Sequence, residues 1–267
     1  MFNIKDKVIV ITGGTGILGG AFIKAIAEAG GKVIILGRNA EVGREREQEV
    51  KQTGGEALFI AADVLQPEDL ERACEQILAT YGRIDALVNA AGGNVAEAVI
   101  GPDQDVFSVN IEALKQVFDL NLYGTVLPTT IFGRHMVNNG GTIINISSMA
   151  AQTAITRVLG YSMAKAAIDN YTRWMAVELA NRYGDKIRMN AIAPGFFVTK
   201  QNRHLLTTPN GGYTTRGEAV IRSTPYKRFG EPEELNGALI WLLSDASKFV
   251  SGEVICVDGG FSVFSGV

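Results

Sequence analysis

Tyr161 and Lys165 stand four residues apart where a long helical pattern begins, so they share one helical face. A free phenol titrates near pH ~10, too high for a base around neutrality. An ammonium beside it favours the phenolate and brings the pKa down. Such a pair suits proton exchange with a hydroxyl or carbonyl oxygen, the step that accompanies hydride transfer at a secondary alcohol. The spacing alone is common on solvent-facing helices, but two other features give it weight. Ser147 and Ser148 end an apolar run, with Ser148 thirteen residues before Tyr161, where a hydroxyl can hold a substrate oxygen. Asn121 lies in the apolar stretch Phe118–Gly133, read as one helix, where packing has no need of an amide.

A second group of residues suits a dinucleotide. The run Val8–Thr12 leads directly into Gly13-Gly14-Thr15-Gly16-Ile17-Leu18-Gly19. Glycines there allow a tight turn and close backbone approach to a pyrophosphate seated on the following helix N-terminus. The next apolar run ends in Gly37-Arg38-Asn39 with no acid to bind ribose hydroxyls. Arg38 is either a cation for a 2′-phosphate, a slight lean toward NADP(H), or a surface residue opening the next helix. Asp63, followed by Val64, could accept from an adenine amino group or simply close a turn. The small residues of Asn89-Ala90-Ala91-Gly92 would let a flat ring pass close to the backbone.

These residues need a frame that brings loop ends together. Strand-like runs fall at Val8–Thr12, Lys32–Leu36, Ala57–Ala61, Ala86–Asn89, Thr142–Ser147, Arg188–Ala193 and Glu253–Val257. Most are apolar on successive residues, as in parallel strands covered on both faces. Helix-length segments at Gly19–Ala29, Pro67–Tyr81, Tyr161–Tyr183 and Glu233–Ser244 alternate with them. The alternation predicts an α/β fold with one doubly wound, seven-stranded parallel sheet, in a single domain over residues 1–267. Two stretches break the rhythm, Gly92–Asn110 and Thr199–Phe229, both beyond carboxyl ends of strands where ligands bind. The second, polar and glycine-rich, reads as a substrate lid.

The remaining composition narrows the choices. A net charge of −3 over 267 residues argues against a nucleic-acid partner. Arg44 and Arg46 alternate with Glu45, Glu47 and Glu49, which reads as a solvated helix face. Cys74 and Cys256, the two cysteines, offer neither metal-ligand spacing nor a disulfide framework, and both read as buried thiols. No metal is expected. The N-terminus is too polar for a signal peptide and no run is long enough to cross a bilayer, so a cytoplasmic protein is expected.

The chain resembles the short-chain dehydrogenase/reductase family along its whole length, from the glycine turn to Asp258-Gly259-Gly260. The resemblance implies a Rossmann-like fold, an NAD(P)(H) cofactor, a homotetramer and a catalytic tetrad of Asn121, Ser148, Tyr161 and Lys165. In that scheme Ser148 positions the carbonyl and Tyr161 transfers the proton. Lys165 lowers the Tyr161 pKa and holds the nicotinamide ribose, and Asn121 holds a relay water. Pro194-Gly195, with Val198 and Thr199, resembles the segment that seats the nicotinamide. One departure is local: short-type members carry Thr-Gly-x-x-x-Gly-x-Gly, whereas Thr12-Gly13-x-x-Gly16-x-x-Gly19 looks like the extended type.

A narrower resemblance, at Asn89–Asn94, Phe118–Thr125, Ile143–Met149, Ala193–Phe197 and Arg228–Glu233, is to bacterial D-mannonate oxidoreductases. It implies a small polyhydroxylated acid as substrate, D-fructuronate or D-mannonate. Its carboxylate would want an arginine and its hydroxyls amides. Lys200, Asn202, Arg203 and His204 could supply these from one side, and Gln152 and Arg157 from the other. Arg203 is preferred over Lys200 for its planar fork. Any one of them could equally be a solvated surface residue. Three other substrates remain open: the alginate-derived 4-deoxy-hexoseulose uronate, a gluconate, or a cyclitol. An intact tetrad argues against a nicotinamide-binding sensor without turnover.

Overall fold

The computed structural model describes residues 2–199 and 202–266. Seven strands form one parallel sheet: β1 (Val8–Thr12), β2 (Lys32–Gly37), β3 (Glu56–Ala61), β4 (Ala86–Asn89), β5 (Gly141–Ile146), β6 (Ile187–Pro194) and β7 (Val254–Val257). Their spatial order is β3-β2-β1-β4-β5-β6-β7, every pairing parallel. The expected architecture is therefore the observed one. Order reverses between β1 and β4, where Thr12 stands opposite Asn89 in register. The crevice beyond those two carboxyl ends is the topological switch point.

Both faces of the sheet are covered, which is why the strands are apolar on consecutive residues. Along β1, Ile9 and Ile11 enter one core cluster and Val8 and Val10 the other, following the two-residue alternation of a strand. Phe22 and Ile26 of α1 (Ile17–Glu28) and Leu239 and Leu242 of α9 (Asn236–Leu243) fill the first cluster. The second is filled by Leu70 and Ile77 of α3 (Pro67–Tyr81), Phe132 of α5 (Gly124–Gly133) and Leu179 of α6 (Leu159–Tyr183). Each fully buried large side chain of this kind contributes roughly 1.5–3 kcal/mol of transfer free energy.

Helix α3 spans the expected residues because both its ends are written locally. Pro67 opens it with a preset φ, and Gly82 closes it at φ 73°. Between β2 and β3 runs α2 (Ala40–Gln52), a mostly polar helix capped by the Asn39 side chain, which accepts from Val42 N at 3.1 Å.

The segment expected as one helix at Phe118–Gly133 is different. Helix α4 (Ile111–Phe118) and α5 are joined by a π-helical stretch, Asp119–Tyr123, with Asn121 at its centre. After β6 come α7 (Arg203–Leu206), a single bridge between Thr207 and Tyr213, and α8 (Thr215–Ser223). This region has its own apolar cluster, Leu206, Val220 and Phe229, backed by Phe196, Val198 and Ile221. Among the described residues no helix is long and apolar enough to cross a membrane.

Candidate active site

The glycine turn sits at the switch point. Thr12, fully buried, accepts through Oγ1 from Ala90 N and Ala91 N, both at 3.2 Å, which ties the end of β1 to the exit of β4. Gly13 is at φ 64°, and a Cβ there would lie 2.7 Å from the Ala90 carbonyl carbon, so only glycine fits. Helix α1 starts after Gly16 with no side-chain cap, leaving the amides of Ile17, Leu18 and Gly19 without an intrahelical acceptor. An uncapped first turn behind a backbone-only cradle fits a pyrophosphate. Thr15 packs against Gly37, where a methyl would fall 2.8 Å from Thr15 Oγ1.

Arg46 is a correction to the sequence reading. It is half-buried, not on a solvated face, and its guanidinium donates to Gly14 O and, at 2.8 Å, to Gly16 O. Burial pushes its pKa down against the pull of Glu49 and Glu45. It occupies a notch left by Gly20, whose Cβ would lie 3.0 Å from Arg46 Cζ. Interleaved charges hid it, because only the tertiary approach of α2 to α1 shows which arginine turns inward.

At the ribose end, Arg38 is exposed and lies 3.8 Å from Asp63 Oδ2. Asp63 also accepts from Leu65 N at 3.0 Å, and Val64 is buried where a Cβ on Gly124 would meet it. Asn39 is spent on capping α2, so its side chain has a local structural task.

Asn89 spends its side-chain amide inside the fold. It is buried and donates to Thr129 Oγ1 and Asn145 Oδ1, both at 2.9 Å, and Asn145 donates onward to Thr172 Oγ1. This polar chain fixes β4, β5 and α6 together. The backbone of Ala90, Ala91 and Gly92, not the Asn89 amide, borders the crevice.

Beyond Gly92 the chemistry-bearing residues meet. A Cβ on Gly92 would lie 2.7 Å from Asn121 Oδ1 and 3.3 Å from Lys165 Nζ. Asn121 is fully buried. Its amide donates to Gly93 O at 2.6 Å and Val117 O at 2.7 Å, while Oδ1 accepts from Gly93 N at 3.1 Å. The π-helical stretch turns this side chain inward and leaves the local backbone ladder widened, as at many functional sites.

Lys165 is 3% exposed, donates to Ile146 O at 2.7 Å and sits 5.5 Å from the Tyr161 ring centre. Burial lowers its pKa to about 8, although Asp169 pulls it upward. Burial raises the Tyr161 phenol, and a hydrogen bond with Ser148 opposes the shift. Ser148 also accepts from Ala150 N at 3.1 Å. The four residues of the expected tetrad therefore converge on the exit of β4.

Asp169, which the sequence reading passed over, is buried one turn beyond Lys165 on α6. It accepts from the Ser147 hydroxyl and, at 3.4 Å, from Gln152 Nε2. Its spacing from Lys165 was the available signal. Burial pushes its carboxyl up, against the Ser147 and Gln152 bonds. Gln152 also accepts from Cys256 Sγ at 3.4 Å. Cys256 is exposed, contrary to the expectation of two buried thiols, while Cys74 is buried.

On the far side, β6 ends at Pro194 and Gly195 N donates to Val257 O at 2.9 Å. Asn202 Oδ1 accepts from Thr199 N at 2.7 Å and its Nδ2 donates to Phe197 O at 2.8 Å, so its amide shapes the turn carrying Val198. Arg203 and His204 are exposed on α7. Arg157 is half-buried on the loop before Tyr161. Lys200, along with Gln201, lies outside the described residues. No group of three or more potential metal ligands occurs among the described residues.

The chain is similar to several known proteins. A family model described as enoyl-(acyl carrier protein) reductase matches residues 15–262. Uncharacterized oxidoreductase UxuB of Bacillus subtilis is 44% identical over 275 residues, covering 99% of this chain and 98% of its own. A candidate D-mannonate oxidoreductase from Haemophilus influenza, solved with bound NAD, is 40% identical, with a TM-score of 0.91 and 99% and 98% coverage. A gluconate 5-dehydrogenase from Burkholderia cenocepacia, solved with NADP and tartrate, is 30% identical, with a TM-score of 0.87 and 98% coverage of each chain. With its fold, glycine turn and near-complete alignment to these oxidoreductases, the chain belongs to the short-chain dehydrogenase/reductase family, whose chemistry runs on a nicotinamide cofactor.

Proposed function

We propose that this chain interconverts a keto-uronate and its hydroxy acid, with D-fructuronate and D-mannonate as the pair. The nicotinamide, when bound, supplies or accepts the hydride. Tyr161 gives the proton to the carbonyl oxygen in reduction and takes it back in oxidation. Ser148, already bonded to Tyr161, orients that oxygen. Lys165 holds the nicotinamide ribose and favours the phenolate, and Asn121 fixes Gly93 and holds a relay water. Gly13 to Gly19 cradle the pyrophosphate, and Ala90 to Gly92 with Pro194, Gly195 and Val198 flank the nicotinamide.

The observation that carries the reaction class is the meeting of Asn121 Oδ1 and Lys165 Nζ at Gly92, with Tyr161 over the same ammonium. The substrate class is supported by 40% identity, across nearly both whole chains, to the NAD-bound candidate D-mannonate oxidoreductase. Gln152, Arg157, Asn202, Arg203 and His204 surround the acid, with the described part of the segment after β6, residues 202–229, as its lid. For the ribose end we read both cofactors as accepted, with Arg38 favouring a 2′-phosphate and Asp63, 3.8 Å from Arg38, accepting from the adenine amino group. The exposed apolar side chains Tyr123 and Trp174, beside Val126 and Tyr171 on α5 and α6, support a homotetramer.

Absorbance at the reduced-nicotinamide band tests the substrate. D-fructuronate, 4-deoxy-hexoseulose uronate and 5-ketogluconate are each supplied with NADH and with NADPH. The highest kcat/KM is expected for D-fructuronate. A higher value for either other acid contradicts the pair, and leaves the reductase reading standing.

A further inference from the structure

The loop between Ser148 and Tyr161 is drawn toward α8 by one arginine and presents another. Arg157 takes φ 76°, a left-handed conformation rare for a residue with a long side chain. Its carbonyl accepts from Ile100 N at 3.0 Å, which anchors the loop to the segment after β4. From the opposite side Arg216, in the first turn of α8, donates through Nη2 to Thr156 O at 3.1 Å and through Nη1 to Thr156 Oγ1 at 3.2 Å. The Arg216 guanidinium thus sits on the residue next to Arg157, close enough for the Arg157 charge to act on it.

Among the described residues, Arg38, Arg134 and Arg228 find carboxylates, but no Asp or Glu forms an ion pair with Arg157 or Arg216. Burial and the nearby Arg157 charge both push the Arg216 pKa down, so the pair is held together against its own repulsion. A like-charge pair of this kind is relieved when an anion enters between the two forks. Arg157 and Tyr161 are four positions apart, at most ~14 Å of chain. A six-carbon acid with its reacting carbonyl at Tyr161 covers part of that interval, and the length of an arginine side chain can cover the rest.

We infer that Arg157 and Arg216 together receive the substrate carboxylate, so that the acid group bridges the loop before Tyr161 and the helix α8 behind it. Arg203, exposed on α7, has a lesser part in holding the acid. The choice of a keto-uronate rests on the function proposed above, whereas the anion site does not. Binding of the acid then reinforces the tie between α8 and this loop that Arg216 already makes through Thr156.

The test uses Arg157→Gln and Arg216→Gln, which keep donors and remove charge, with Arg203→Ala for comparison. Calorimetry measures tartrate binding to the NAD-loaded protein, and NAD affinity checks that each variant is folded. Tartrate affinity is expected to fall about tenfold or more in either Gln variant, the loss typical of one charge-assisted contact, with NAD affinity within about twofold of wild type. The KM for D-fructuronate should rise in parallel. If tartrate affinity falls but wild type turns over no D-fructuronate, the anion site stands and the substrate reading fails. Failure of wild type to bind tartrate, equal affinity in wild type and both Gln variants, or a larger loss in Arg203→Ala overturns the inference.

Discussion

Asp169 lies one helical turn beyond Lys165 on the buried side of α6 and accepts the Ser147 hydroxyl, so the strand end next to Ser148 is tied to the residue behind the active lysine. Asp169 is the acid acting on the Lys165 ammonium, and it raises a pKa that burial has lowered. Asp169→Asn keeps an acceptor for Ser147 and removes the charge. The proton should then leave Lys165 at a pH below about 8, and the alkaline limb of reductive kcat/KM should move the same way. A pH profile for the variant that superimposes on wild type would show that the two residues are not electrostatically linked.

Lys165 also leaves a mark on stability. Its pKa falls from 10.5 in the ordinary side chain to about 8 when folded, so the unfolded chain binds the extra proton between those values. The buried ammonium therefore costs stability below pH 8, and the cost disappears as pH rises from 8 to 10.5. Relative to Lys165→Met, wild type should gain about 3 kcal/mol across that window. Urea titrations of both proteins at several pH values measure the difference. Parallel curves would mean that Lys165 keeps an ordinary pKa.

Arg46 and Arg38 should separate by cofactor. Arg46 holds the carbonyls of Gly14 and Gly16, so Arg46→Ala should weaken NAD(H) and NADP(H) by the same factor, about 1–3 kcal/mol if those groups stay unpaired. Arg38 is exposed, and Arg38→Ala should weaken NADP(H) alone and by less, because solvent screens it. Cofactor titrations by nicotinamide fluorescence give both comparisons. An NADP(H)-selective loss in Arg46→Ala would place the 2′-phosphate at α2 instead.

What the sequence showed was set by which interactions are local. Helix α3 was legible residue by residue because Pro67 and Gly82 mark its ends. The doubly wound parallel sheet followed from alternation, the Tyr161/Lys165 pair from spacing, and the full tetrad only from the resemblance to the short-chain family. The π-helical turn at Asn121 was not legible, because Phe118–Gly133 is apolar throughout and the cause of the turn is a partner far away in sequence, Gly93. Arg46 and Arg216 were hidden for the same reason: their partners, Gly16 and Thr156, lie 30 and 60 residues away. Asn39 and Asn202, polar residues beside binding segments, turned out to bond their own turns. A side chain's type suggests an interaction, and the tertiary fold decides whether the backbone claims it first.

The central claim is that Tyr161 carries the proton at a site whose cofactor end is independent of it. Tyr161→Phe removes one oxygen and leaves the glycine turn, Lys165 and the packing of α6 in place. Stopped-flow measurement of NADH consumption with D-fructuronate, beside an NADH binding titration on the same variant, tests this directly. Turnover should fall by roughly 10²–10⁴, the usual share of a general acid, while NADH affinity stays within about twofold of wild type. Turnover near wild type in Tyr161→Phe would contradict the account.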